Sequence, residues 1–160
     1  MLNQQETRQF IKLLDKMKNT KEVWPKAIFD SLVKHVTFVA CECAVIDSHG
    51  ALLLTWRDDQ FWKGWHIPGG LLRYKESFLT RIRATLKRET GLTVIRAKLL
   101  DVYNYQNDPR GHSISMLFLC TCRGSAKKGT WFKKVPPRMI SAGHKAMSIR
   151  ALHALKSINK

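Results

Sequence analysis

The sequence predicts an α/β fold with a mixed β-sheet and an N-terminal helical extension. Apolar residues recur at helical spacing around Phe10, Ile28 and Phe78, and strand-like apolar runs lie between and after these stretches. No repeat, low-complexity tract or linker marks a second folding unit in the 160 residues. That length suits one domain, divided here into an extension over 1–35 and a single core domain over 36–160.

Phe10, Leu13, Leu14 and Met17 fall at i, i+3, i+4 and i+7, which predicts a first helix, and Lys18–Glu22 breaks it. Pro25 opens a second short helix at its first turn, with Ile28, Phe29, Leu32 and Val33 on the apolar side. Both helices are expected to pack as an extension on the domain, or to form a homodimer surface. Val36–Ile46 reads as a strand, Asp47-Ser48-His49-Gly50 as a turn and Ala51–Trp56 as the returning strand of a hairpin. A charged, aromatic loop over Arg57–Trp65 leads to His66-Ile67-Pro68-Gly69-Gly70.

Ser77–Glu89 is predicted helical, with Phe78, Leu79, Ile82 and Leu86 as its buried stripe and Gly91 as its terminator. Strands over Thr93–Tyr105 and Ser113–Cys122 follow, joined by a loop, Gln106–His112, that contains Pro109 and Gly111. A basic loop, Arg123–Thr130, leads through Trp131 and Pro136-Pro137 to a last helix from about Gly143 to Ile158.

Composition narrows the function classes. With 44% hydrophobic and 25% charged residues the chain is an ordinary globular one, neither collagen-like nor disordered. Apolar runs such as Phe38–Cys41 and Ala51–Leu54 are far short of the roughly 20 residues needed to span a bilayer. The polar start, MLNQQETRQF, does not read as a secretory signal, so the expected setting is cytoplasmic, with no membrane partner.

The net charge is +16, and no acid follows Asp108 while eleven Lys and Arg do. A surface of that sign attracts phosphate-bearing partners, from nucleotides to nucleic acid, or serves solubility alone. No nucleic-acid-reading motif accompanies it, so nucleic acid is not the favoured partner. Cys41/Cys43 and Cys120/Cys122 form two Cys-x-Cys pairs on predicted strands, where alternate residues lie about 6–7 Å apart on one face. Thiols filling a core or strand face are preferred over a zinc site, whose usual spacing is Cys-x2-4-Cys.

The chemistry concentrates in Pro68–Leu92. A Pro-Gly-Gly turn lets backbone approach a ligand closely and offers carbonyls to a hard cation. Thr85, Arg88 and Glu89 share one helix face, so Glu89 can aim a carboxylate across the turn.

The spacing Gly70-x5-Glu76 and the ending Glu89-x-Gly91-Leu92 resemble the Nudix box, G-x5-E-x7-R-E-U-x-E-E-x-G-U with U aliphatic. The resemblance spans about Val36 to Cys122. It implies an α/β/α sandwich that hydrolyses a nucleoside diphosphate derivative, a small-molecule nucleotide substrate, with Mg2+ or Mn2+. Two departures stand out: Ala84-Thr85 replaces Arg-Glu, and Arg88-Glu89 replaces Glu-Glu.

The retained last glutamate also resembles the GDP-mannose mannosyl hydrolases, which attack the sugar carbon and release nucleoside diphosphate and sugar. That resemblance implies a metal held by Glu89 and a carbonyl of Gly69 or Gly70, with Arg57 on the leaving diphosphate and His112 as general base. An arginine expected after Gly-Gly is Leu71 here, and a glutamine expected beside the histidine is Gly111. Glu76 is expected to hold the loop–helix junction, Arg88 to meet phosphate, and Trp62, Trp65 or Tyr103 to stack a base. His144 and His153 are expected to be structural or exposed. The predicted function is a Mg2+-dependent nucleotide-sugar hydrolase of GDP-mannose type; the alternative is a degenerate domain that binds nucleotide or nucleic acid without hydrolysis.

Overall fold

A computed structural model describes residues 2–16 and 25–156. Its elements are α1 (Gln4–Lys16), α2 (Lys26–Leu32), β1 (Phe38–Val45), β2 (Leu52–Asp58), β3 (Lys63–His66), β4 (Gly69–Leu71), α3 (Phe78–Thr90), β5 (Thr93–Asp108), β6 (Gly111–Arg123), β7 (Thr130–Phe132) and α4 (Ala142–Lys156). The strands form two sheets, ordered β4-β1-β6-β5 and β3-β2-β7. Within the larger sheet β1 and β6 are parallel and the other pairs antiparallel, so the sheet is mixed as expected.

Strand alternation divides the core in two. Cys41, Cys43 and Val45 of β1 point toward α3 and meet Ile82, Leu86, Phe118 and Cys120. Ala44 belongs to the second cluster, with Leu52, Leu54, Leu117, Met147 and Ala151 beneath α4. The thiols therefore fill the layer under α3, and burial pushes the Cys41 thiol up to about 11. Glu42 lies between Cys41 and Cys43 and so faces the other way.

Helix α3 forms as expected. The Ser77 hydroxyl accepts from the Thr80 N–H at its start, and Gly91, at φ 81°, closes it with bonds to the Leu86 and Lys87 carbonyls. Its stripe differs from the expected one. Ile82 and Leu86 are buried with Arg81, Thr85 and Thr90, whereas Phe78 and Leu79 are exposed at the rim, Phe78 resting on Phe118.

Three expectations need correction. β1 and β2 are not a hairpin: they lie in different sheets and share one bridge, Ile46 to Leu52. Both edges of β1 are already taken, by β4 and β6, so the Asp47–Gly50 turn hands the chain to the second sheet. The stretch Arg57–Trp65 is not all loop; β2 runs to Asp58 and β3 pairs back on it from Lys63. Asp59 tightens that turn by accepting the Phe61 and Trp62 N–H groups.

Nor is Gln106–His112 a loop. β5 and β6 continue until Asp108 pairs with Gly111, leaving Pro109 and Arg110 as the turn and His112 on a strand. The end of α2 packs, with Val33 buried and Phe29 against Phe38. α1 buries none of its residues, so its apolar stripe adds nothing to the core. The expected break at Lys18–Glu22, and the end of the last helix at Ile158, lie outside the described residues.

Candidate active site

The site is built around β4. Cys43 N–H bonds the Pro68 carbonyl and Leu72 N–H bonds the Val39 carbonyl, with Glu42 opposite Gly69 between them. That alternation makes Glu42–Gly69 a pair without mutual hydrogen bonds, so the Gly69 peptide groups point away from β1. The Gly69 N–H meets Glu89 of α3. Gly70, one residue on, has its peptide groups turned into the β1 ladder. Neither glycine has room for a side chain: a Cβ on Gly69 would collide with the Glu42 carboxylate, and one on Gly70 would sit 2.7 Å from Thr85 Oγ1.

Glu89 Oε1 accepts from Arg88 at 2.6 Å, while Oε2 is buried without a partner. Burial raises the Glu89 carboxyl above its usual range, against the opposing pull of Arg88. An unpartnered, buried carboxylate oxygen beside an outward-facing peptide unit is a hard-oxygen donor set of the kind that suits Mg2+ or Mn2+. The residues present fit such an ion.

Beside this point opens a cleft of about 560 Å3, lined among others by Glu42, Arg57, Trp62, His66, Tyr105, Arg110 and His144. A shallower groove across Gly69 adds Trp56, Arg88, Glu89 and Lys128, and shares Arg57, His66 and Arg110 with the cleft. Arg57 is held by Asp59 at 2.5 Å; Arg110 lies over the Trp62 ring, 5.9 Å from its centroid, with Asp108 3.6 Å away. Two guanidiniums thus span the junction of both spaces.

The cleft floor holds unusual ionisable groups. Burial raises Glu42 to about 8, with Glu89 adding to the effect. Burial lowers His66 to about 4 and His144 to about 3, with His66 and Arg57 adding to the latter. The His66 ring is fixed by the Ile67 carbonyl at 2.7 Å and Thr55 at 3.0 Å, and packs edge-on against His144. Trp62 Nε1, Tyr105 OH and His144 Nδ1 are buried without partners in the same cleft. Unsatisfied buried polar groups are rare, and several at one place mark a space for a polar ligand.

Of the residues singled out in the sequence, the structure brings Glu89, Gly69, Arg57 and Arg88 together here, while Gly70, also expected to offer its carbonyl to a cation, turns that carbonyl into the β1 ladder. Glu76 stands apart at the start of α3, accepting from Arg73 N–H and from Arg81 at 2.7 and 2.8 Å, and so holds the loop–helix junction. Gly91 ends the same helix. Arg81 supplies the guanidinium for Glu76 in a helix whose box position holds Ala84.

His112 does not line the cleft but sits in an adjoining recess that shares Leu71, Asp108, Arg110 and Ser113 with it. There it lies beside Val33 and Phe38, its Nδ1 on Thr37 at 2.9 Å and Nε2 on Asn104 at 2.7 Å, so both ring nitrogens are engaged. Trp65 packs edge-on between Trp56 and Phe132, and Tyr103 stacks on Tyr105 outside the cleft. Trp62 and Tyr105 are the aromatics that line it.

Sequence reasoning missed Glu42, His66, Tyr105, Arg110 and the burial of His144. A charged residue within the apolar run FVACECAV was the available signal for Glu42. The others become neighbours through the two-sheet packing, which local patterning does not encode.

The NUDIX domain family model matches residues 36–157. An ADP-ribose pyrophosphatase of Methanocaldococcus jannaschii is 34% identical over 86 residues, covering 52% of this chain and 51% of that protein; the match thus spans about half the curated relative's length. Among solved structures, a MutT NUDIX hydrolase from Burkholderia pseudomallei superposes with a TM-score of 0.64 at 20% identity, covering 72% of this chain and 98% of that one. The NUDIX domain of Shewanella oneidensis NrtR, solved with ADP ribose, gives 0.60 at 18%, covering 84% and 94%. At these identities the structural matches establish the fold.

Proposed function

The chain belongs to the NUDIX domain family, and from that premise we propose that it is a Mg2+-dependent hydrolase of a nucleoside diphosphate joined to a sugar. The observation that carries the proposal is Glu89. It is the one box carboxylate left on this helix face, and it is buried against the outward-facing Gly69 where two arginines line the cleft. Glu89 and the Gly69 carbonyl would hold the ion, which when bound polarises a phosphoryl oxygen and offsets developing charge.

The chain's own groups supply the rest. Arg57 and Arg110 bind and neutralise the diphosphate, with Arg88 reaching it from the shallower groove. Trp62 and Tyr105 offer flat faces to a base, and Ser113 and Ser115 line the same wall. The ADP-ribose pyrophosphatase relative supports an ADP-ribose-like substrate. A GDP-mannose-like sugar nucleotide is the finer alternative within the same class. Attack at carbon would rest on His112 as base, and the engagement of both its nitrogens by Thr37 and Asn104 favours attack at phosphorus.

Product analysis on ADP-ribose, GDP-mannose and related compounds, with and without Mg2+, tests this. Mg2+-dependent release of nucleoside monophosphate and sugar phosphate is expected. Release of nucleoside diphosphate and free sugar would move the chemistry to carbon. Nucleotide binding without turnover across the panel would leave a binding domain in place of an enzyme.

A further inference from the structure

We propose that Glu42 is a second protein ligand of the divalent cation, so that a carboxylate from β1 restores charge that helix α3 has lost. The inference rests on the metal-dependent reading above and adds a residue outside the box. On α3 the box positions for two further acids hold Thr85 and Arg88, one neutral and one cationic. A dication facing Glu89 alone would be under-compensated on the protein side.

The geometry places the missing charge one strand away. Glu42 and Gly69 are direct cross-strand partners, and the Glu42 carboxylate lies so close that Gly69 has no room for a Cβ. On its other side Gly69 gives its N–H to Glu89. Two carboxylates from different elements therefore flank one glycine whose carbonyl is free of the ladder. Each buries an oxygen, Oε2, that has no partner.

Ionising the buried Glu42 carboxyl beside Glu89 is strongly unfavourable unless something positive enters, and each Oε2 is left without a partner. Arg88 engages only Oε1 of Glu89, and the cleft's Arg57 and Arg110 are directed at Asp59 and Asp108. The three oxygens are hard donors and, with substrate phosphates and water, match what Mg2+ accepts.

The test measures ion binding directly. Mn2+ is titrated into the full-length wild type, Glu42→Gln and Glu89→Gln, with free ion followed by electron paramagnetic resonance and folding checked by circular dichroism. Glutamine keeps the size of Glu42 and removes the charge. The proposal expects wild type to bind one ion at this site, and Glu42→Gln to bind it at least about tenfold more weakly. Glu42→Gln binding as tightly as wild type, while Glu89→Gln does not, would overturn the proposal and leave the hydrolase reading standing. A wild type that binds no ion would overturn both.

A wild-type measurement guards against a variant that fails to fold. The chain has five glutamates, and 13C labels on their carboxyl carbons can be assigned through bonds. Saturating Mg2+ should shift the signals of Glu42 and Glu89; a shift at Glu89 with none at Glu42 would contradict the proposal.

Discussion

Gly69→Ala would force a methyl group against the Glu42 carboxylate, so one side of the site must move. A fall in thermal midpoint of several degrees and weaker Mn2+ binding are expected; an alanine variant with wild-type values for both would mean that β4 and β1 are not this close. Arg57→Ala should lower kcat/KM by about 10²-fold, with Arg57→Lys recovering part, because a fixed guanidinium at the diphosphate outperforms a point charge. An unchanged kcat/KM would remove Arg57 from the site. Glu89 and Gly69 were legible in the sequence because motif spacing marks them within a short segment, whereas Arg57 was reached only through a resemblance that expects an arginine after the second strand. Glu42 was less legible. Its acid in an apolar strand is visible, yet what faces it depends on β4 arriving from more than twenty residues later.

Among the elements, α3 carries the site and is itself held at both ends. Arg81 and Glu76 are nearly enclosed, with side-chain exposures of 5% and 13%. Breaking such a pair leaves an uncompensated charge, so Arg81→Ala should cost about 3–5 kcal/mol in urea unfolding. A loss below about 1 kcal/mol would show that the junction does not depend on it. Helix α3 could be read from sequence because its cap, terminator and apolar period are local signals that agree. The β1–β2 hairpin was misread for the complementary reason: a good turn between two strands says nothing about whose edge each strand will pair with. The long β5–β6 ladder was cut short at Gln106 because its polar tip resembles a loop, and His112 was misplaced with it.

For the whole molecule, the fold class followed from the order of elements, while the cleft arose where the two sheets and the start of α4 converge. The buried His66–His144 pair gives that convergence a pH signature. Both are neutral in the folded state, at about 4 and about 3, against 6.5 when exposed, so below 6.5 the unfolded chain binds more protons. Their contribution is intact above pH 6.5 and declines as pH falls through that value toward 4. Glu42, raised from 4.5 to about 8, acts oppositely, lowering stability as pH rises across that interval. The His144 contribution is isolated by comparing thermal midpoints of wild type and His144→Phe. The wild type should lose ground to the variant as pH drops from 7 to 4, and a constant difference would mean that His144 is not held neutral.

Glu89 gathers the residue, the helix and the cleft into one claim. The most direct measurement is the rate of Mg2+-dependent hydrolysis by Glu89→Gln against wild type on the substrate found by the panel, with nucleotide affinity and thermal midpoint recorded alongside. A loss of about 10²-fold or more in turnover is predicted, with affinity for metal-free nucleotide and the midpoint retained. Hydrolysis at the wild-type rate would contradict the account.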